Sequence, residues 1–232
     1  MFNERSLPLF KESGIEKLKN ASVAVVGLGG VGSWCAEALV RAGVGNITVV
    51  DHDVISDSNR NRQLIALSST VGSKKASVEA ERLKNINPEC NIEALDIFLS
   101  AETLEAFDVA RFDYVADCID TVTSKLALIK DCNDKGVKII SAMGTGNRLD
   151  PSKIEVKDIF STSGCPLARV IRRELRARNI ESLKVVCSDE PSMDCIAGRD
   201  GKTHKATPSS AVFVPAAAGL RMAYEIVSEM IL

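Results

Sequence analysis

The stretch VVDHDVISDSNRNRQ, Val49 to Gln63, places an acid, two asparagines, two arginines and a glutamine close together. Asp51 ends an apolar run that reads as a strand, where a carboxylate can hold the hydroxyls of a ribose. Asn59, Arg62 and Gln63 follow as N-x-x-R-Q. A dinucleotide pyrophosphate rests on backbone amides and needs no dedicated guanidinium. A triphosphate carries more charge, and transfer at its phosphorus needs cations to meet that charge. Lys75 supplies a second cation further on. Asp120, at the end of DCID, could hold Mg²⁺ beside the phosphates or cap the helix that begins at TVTSKLAL.

The residues before this stretch supply the phosphate cradle. GLGGVGS puts glycines at 27, 29, 30 and 32, satisfying G-x-G-x-x-G between a strand and a helix. Glycines there let backbone amides approach a phosphate at a helix N-terminus. Asp51 lies 19 residues after Gly32. That separation alone suits an NAD-dependent enzyme, whereas N-x-x-R-Q, Lys75 and Asp120 together favour ATP. A glycine turn serving only helix–sheet packing is the plainer alternative.

Positioning these groups requires a particular order of elements. Ser22–Val26 reads as a buried strand, residues 31–43 as a helix closed by Gly43, and Asn46–Val50 as a second strand. A helix over 73–87 ends before Pro88. Strands follow at 91–98 and 113–120, a helix at 121–136 and a strand at 137–142. This alternation predicts an α/β fold: a Rossmann-like doubly wound sheet, largely parallel in the N-terminal half. In the C-terminal half, mixed or antiparallel strands are expected. One strand falls within 143–159, a basic helix at 165–179, a strand at 182–188 and a closing apolar helix at 209–232, with Pro215 near its start or at a kink. Residues 189–208 are rich in Gly, Pro, Ser and charge and read as a long mobile loop. The expectation is a single domain over 1–232, with a nucleotide-binding half (1–142) and a substrate-facing half (143–232).

Composition narrows the class. The chain has 232 residues, 45% hydrophobic and 26% charged, with a formal net charge of −2. Nucleic acid would therefore have to be held by a local patch rather than by the overall field. Arg169, Arg172, Arg173 and Arg176 supply one at i, i+3, i+4 and i+7 of the basic helix, facing nucleic-acid phosphates or paired with Glu174 and Glu181. No apolar run is long enough to span a membrane. The N-terminus lacks the apolar core of a signal peptide. Seven cysteines are scattered without a CxxC, which argues against a disulfide framework or a paired-CxxC zinc site and for a reducing, cytoplasmic setting. Cys165, Cys187 and Cys195 are candidate acyl or sulfur acceptors. Cys35, in the first turn of the phosphate-facing helix, reads as a packing residue.

GLGGVGS, VVDHDVISDSNRNRQ, VGSKKASVEAERLKNINP and DCIDTVTSK together resemble the adenylating domain of the ubiquitin-activating-like (ThiF/MoeB/HesA) superfamily. GTGNRLDPSKIEVKDIFSTSGCPLARVIRRELR and TPSSAVFVPAAAGL are similar to its tRNA threonylcarbamoyladenosine dehydratase branch, in the short form. The resemblance implies that Gly27, Gly29, Gly30, Gly32 and Asp51 hold the adenosine part of ATP. It implies that Asn59, Arg62, Gln63 and Lys75 (rather than Lys74) meet the phosphates and that Asp120 ligates Mg²⁺. Arg5 matches an arginine that reaches across a homodimer to the partner's ATP. The implied reaction is adenylation of a threonyl carboxylate on a modified tRNA adenosine, followed by ring closure and loss of AMP. The alternative within the superfamily is adenylation of a ubiquitin-like sulfur carrier. A sulfur-transfer or carrier protein is thus a further candidate partner.

Overall fold

The computed structural model describes residues 2–193, 198–199 and 206–232. Its centre is a seven-stranded sheet in the order β3-β2-β1-β4-β5-β7-β6. The strands are β1 (Ser22–Val26), β2 (Asn46–Val50), β3 (Asn91–Leu95), β4 (Tyr114–Asp117), β5 (Lys138–Ala142), β6 (Ile154–Asp158) and β7 (Lys184–Ser188). The first five are parallel to their neighbours, β7 is parallel to β5, and β6 closes the edge antiparallel to β7. The expected mixed sheet is therefore present, and its one antiparallel pairing lies in the C-terminal half.

Strand alternation sends side chains to two cores. Val23 and Val25 of β1 pack on one face with Ile47, Val49 and Tyr114. Ala24 and Val26 pack on the other with Val50 and Val115. Both faces are buried, as a central parallel sheet requires, so the strands read as continuous apolar runs. The first face is covered by α2 (Gly32–Ala42) and α7 (Phe213–Ile231), with α1 (Leu7–Asn20) packed on α7. The second is covered by α4 (Ala101–Phe107) and α5 (Val122–Lys135). A third cluster joins α5 to α6 (Pro166–Ala177) through Leu126, Ile129, Ile171 and Leu175. The remaining helix, α3 (Lys75–Ile86), packs near α2 and β3.

Several boundaries differ from the sequence expectation. The helices α1 and α4 were not anticipated. The strands β3 and β4 stop at Leu95 and Asp117, three residues short of the expected ends. The chain leaves the sheet there to form the walls of a cleft. Within 189–208, Gly198–Arg199 pairs antiparallel with Ala206–Thr207, so this stretch is not wholly without strand. Its start, 189–193, is irregular chain in which Glu190 and Met193 hydrogen-bond to residues 147–150, while residues 194–197 and 200–205, with the candidate Cys195, lie outside the described residues.

Candidate functional site

The cleft opens at the carboxyl ends of β1, β2, β4 and β5, where parallel α/β sheets take ligands, and has a volume of about 800 Å³. It brings together Gly27, Gly29, Gly30, Asp51, Asn59, Arg62, Gln63, Lys75 and Asp120. Gly32 is not on its wall but makes the turn possible: a Cβ there would stand 1.8 Å from the Gly27 carbonyl oxygen. Any side chain at this position would break the turn, so the glycine requirement is steric.

Asp51 braces the cradle. Its Oδ2 accepts from the Leu28 amide at 2.7 Å and its Oδ1 from the Asp53 amide at 2.8 Å. Lys75 opens α3 with a buried side chain. Its Nζ donates to Asp53 Oδ2 at 2.8 Å and lies 3.8 Å from Asp51 Oδ2. Burial would push the Asp53 carboxyl up, but the hydrogen bond and charge of Lys75 outweigh it and hold the carboxyl below its usual range. Lys74 points elsewhere, pairing with Asp96 at 3.0 Å. The structure thus puts Lys75, not its neighbour, on the cleft wall.

The N-x-x-R-Q segment is a pinned turn. Asn59 Oδ1 accepts from the Ser56 amide at 3.0 Å, and Trp34 Nε1 donates to the Arg62 carbonyl at 3.2 Å. Ser33 Oγ, which donates to the Gly29 carbonyl at 2.8 Å, accepts from the Leu64 amide at 3.2 Å. The first turn of α2 therefore ties the glycine loop to the arginine-bearing segment. Gln63 is buried on the cleft wall, and its Oε1 has no partner among the described residues. An orphaned acceptor beside a glycine cradle fits a bound group that donates, such as a ribose hydroxyl.

Asp120 is exposed at the cleft, and Thr121 rather than Asp120 caps α5. The N-cap position therefore belongs to Thr121, and the Asp120 carboxylate lines the cleft. Below it, Asp117 and Lys125 form a fully buried pair at 2.7 Å. Asp117 also accepts from Ser141 Oγ and from the Ile119 amide. This network fixes the turn that carries Asp120, because a buried charge without its partner would be strongly unfavourable.

Other candidates are placed differently. Arg5 is exposed outside this cleft, and its neighbour Asn3 lies against Gly43 at the far end of α2 from the glycine loop. Arg169 and Arg173 are exposed on α6, whereas Arg172 Nη1 turns inward to the Thr162 carbonyl at 2.9 Å. Arg176 stacks on Phe160 at 5.2 Å, and Arg173 pairs with Glu174 at 2.9 Å. The expected four-guanidinium stripe thus exists as a helix face but is partly committed to its own fold. The same helix begins at the cleft, where Pro166 and Leu167 line the wall.

Burial disfavours the thiolate at Cys35 and Cys187. Cys35 is fully buried, and burial pushes its thiol up. Burial likewise pushes Cys187 up to about 11. Cys165 is buried where α6 begins, with Sγ accepting from the Ala168 amide at 3.5 Å.

Sequence reasoning missed the cleft's apolar wall, Ile97, Phe98 and Leu99, with Phe98 meeting His52 edge to face at 4.8 Å. The signal was present as an apolar run, but it was read as more strand. It also missed Asp53 and Arg148, single charges with no spacing to mark them.

A family model described as the ThiF family matches residues 3–226. The chain is 42% identical to the tRNA threonylcarbamoyladenosine dehydratase of Bacillus subtilis, over 99% of this chain and 94% of that protein. It is 40% identical to the Escherichia coli protein of the same name, over 73% of this chain and 63% of that protein. The crystal structure of the E. coli dehydratase in complex with ATP superposes with a TM-score of 0.89 at 32% identity, covering 97% of this chain and 92% of that one.

Proposed function

The chain belongs to the ThiF family, and from that premise we propose that it is an ATP-dependent tRNA threonylcarbamoyladenosine dehydratase. One observation carries the reading. Arg62, Lys75 and Asp120 meet on a single cleft that the glycine cradle and Gly144–Arg148 both line. A nucleotide and an acyl group can therefore sit side by side. Likeness to the Bacillus dehydratase over 99% of this chain supports the substrate class.

In this reading the glycine loop, Asp51 and Gln63 hold the adenosine of ATP against Ile97 and Phe98. Arg62, Asn59 and Lys75 meet the phosphates. Mg²⁺, held by Asp120, would supply further charge neutralisation at the phosphates. The threonyl carboxylate attacks the α-phosphate, the bond to pyrophosphate breaks, and an acyl-adenylate forms. A nucleophile of the same modified nucleoside then attacks the acyl carbon, and AMP leaves with one carboxylate oxygen. The net change in the nucleoside is loss of one water. The protein contributes positioning and electrostatic stabilisation, and no cysteine takes part. This agrees with burial disfavouring the thiolate at Cys35 and Cys187.

The whole chain acts as one adenylation domain in this reading. The exposed guanidiniums of Arg169 and Arg173, with Arg172 and Arg176 beside them, guide tRNA phosphates toward the cleft at which α6 begins. A homodimer is proposed from α7, where Phe213, Leu220 and Tyr224 are exposed along one helix face. Arg5, remote from its own cleft, would serve the partner subunit's ATP. No helix among the described residues is long and apolar enough to cross a membrane; a cytoplasmic setting follows from the tRNA substrate.

The test is to incubate the protein with ATP and total tRNA, digest the tRNA and weigh the nucleosides. The threonylcarbamoyl nucleoside is expected to lose the mass of one water only when ATP is present. Pyrophosphate exchange that requires a carrier protein and ignores tRNA would overturn the proposal in favour of carrier activation.

A further inference from the structure

Two asparagines to which no motif assigns a role join the nucleotide side of the cleft to its acyl side. Asn147 makes three backbone-directed contacts. Its amide donates to the Ser209 carbonyl at 2.7 Å, its Oδ1 accepts from the Ser209 amide at 2.7 Å, and its carbonyl accepts from the Met193 amide at 2.8 Å. It does so at φ +57°, a left-handed conformation that asparagine tolerates better than most residues. Asn61 works from the opposite side. Its Nδ2 donates to the Ser210 carbonyl at 2.8 Å, and its Oδ1 accepts from Arg62 Nη1 at 3.0 Å. Ser209 and Ser210 are thus held between the two asparagines.

The neighbouring packing is equally close. A Cβ on Gly146 would fall 2.7 Å from Pro208 Cβ, so a larger residue there would force the two segments apart. Arg148, buried on the cleft wall, donates from Nη1 to the Gly144 carbonyl at 2.7 Å and from Nε to the Glu190 carbonyl at 3.0 Å. The Glu190 carboxylate accepts in return from the Leu149 and Asp150 amides, each at 2.9 Å. The wall segments 144–148, 190–193 and 208–210 are therefore one hydrogen-bonded unit, and Asn61 ties that unit to Arg62.

We propose that Asn147 and Asn61 are positioning residues that fix the acyl-side wall at a set distance from Arg62. The proposal rests on the dehydratase reading above. In-line attack requires the carboxylate to meet the α-phosphate in a near-attack geometry, and a 1 Å displacement costs about a 10²-fold loss of rate. An arginine and a substrate wall joined through two serines and two asparagines cannot drift independently.

Three variants of one residue test this. Asn147→Ala loses the Oδ1 acceptor and strains the positive φ. Asn147→Gly keeps the backbone conformation but loses the acceptor. Asn147→Asp keeps an acceptor at the same place. The expected result is a fall in kcat of about tenfold to 10²-fold for Ala and Gly, with ATP affinity and tRNA affinity unchanged and activity restored by Asp. Wild-type kcat in Asn147→Gly would overturn the proposal, as would a loss of ATP affinity parallel to the loss of rate. If the wild-type protein fails to dehydrate tRNA, the dehydratase reading falls. Amide hydrogen exchange then decides the clamp: faster exchange at Ser209 and Met193 in Gly than in Asp supports it, and equal exchange overturns it.

Discussion

Arg62 and Lys75 are the residues from which the adenylation chemistry follows, and their settings differ. Arg62 is half-exposed and held by its backbone and by Asn61, whereas Lys75 is buried and paired with Asp53. Arg62→Ala and Lys75→Ala are each expected to lower kcat by about 10²–10³-fold, measured as AMP release with modified tRNA. A variant that keeps full turnover would remove that residue from the phosphate site. Cys187→Ala is expected to retain turnover, since burial holds its thiol protonated near neutral pH. A collapse of activity there would instead favour a covalent acceptor. N-x-x-R-Q was legible because it is a spaced set of amides and a guanidinium directly after a ribose-type acid. Asp53 and Arg148 were not legible, because their partners lie 22 and 42 residues away in sequence and one charge in a loop has no periodicity.

At the scale of elements, α3 carries a conflict beside the lysine it presents. Glu79 is fully buried against α2, and neither carboxylate oxygen has a partner among the described residues. Burial pushes its carboxyl well up, Glu37 adds to that, and Arg82 opposes it; Cys35 is also near. The folded pKa thus lies above the unfolded value of about 4.3. The folded chain retains a proton that the unfolded chain releases, so stability falls as pH rises above that value. Glu79→Met removes both the unpaired oxygens and the titration. It is expected to raise stability by about 1–3 kcal/mol at neutral pH, with a smaller gain near pH 4, read as Tm across a pH series. A gain that does not vary with pH would contradict the buried-carboxyl account. Strands β1, β2 and β4 were readable because both faces are buried and each run ends at glycine or acid. Helix α1 was not, since Pro8 and Gly14 interrupt its pattern and Leu18 is its one large buried side chain. Helix α4, with seven residues, is too short to establish a period.

For the whole molecule, the proposed dimer and the proposed reaction make separate demands. If the α7 face seats a second copy, Leu220→Arg is expected to shift the solution mass to that of a monomer. Activity should fall with it, because Arg5 would no longer reach a partner's site. A wild-type protein that is monomeric at every concentration, yet fully active, would contradict both points. The sequence could not reveal that surface, since exposed apolar residues on a closing helix read the same as core until the fold shows which side is covered. The path of oxygen tests the reaction most directly. The modified nucleoside is prepared with heavy oxygen in its threonyl carboxylate, and the protein is supplied with ATP. One labelled oxygen in the released AMP is the expected result, because the carboxylate attacks the α-phosphate and its oxygen leaves with that phosphorus. Label in inorganic phosphate with formation of ADP, or no label in AMP, would contradict adenylation.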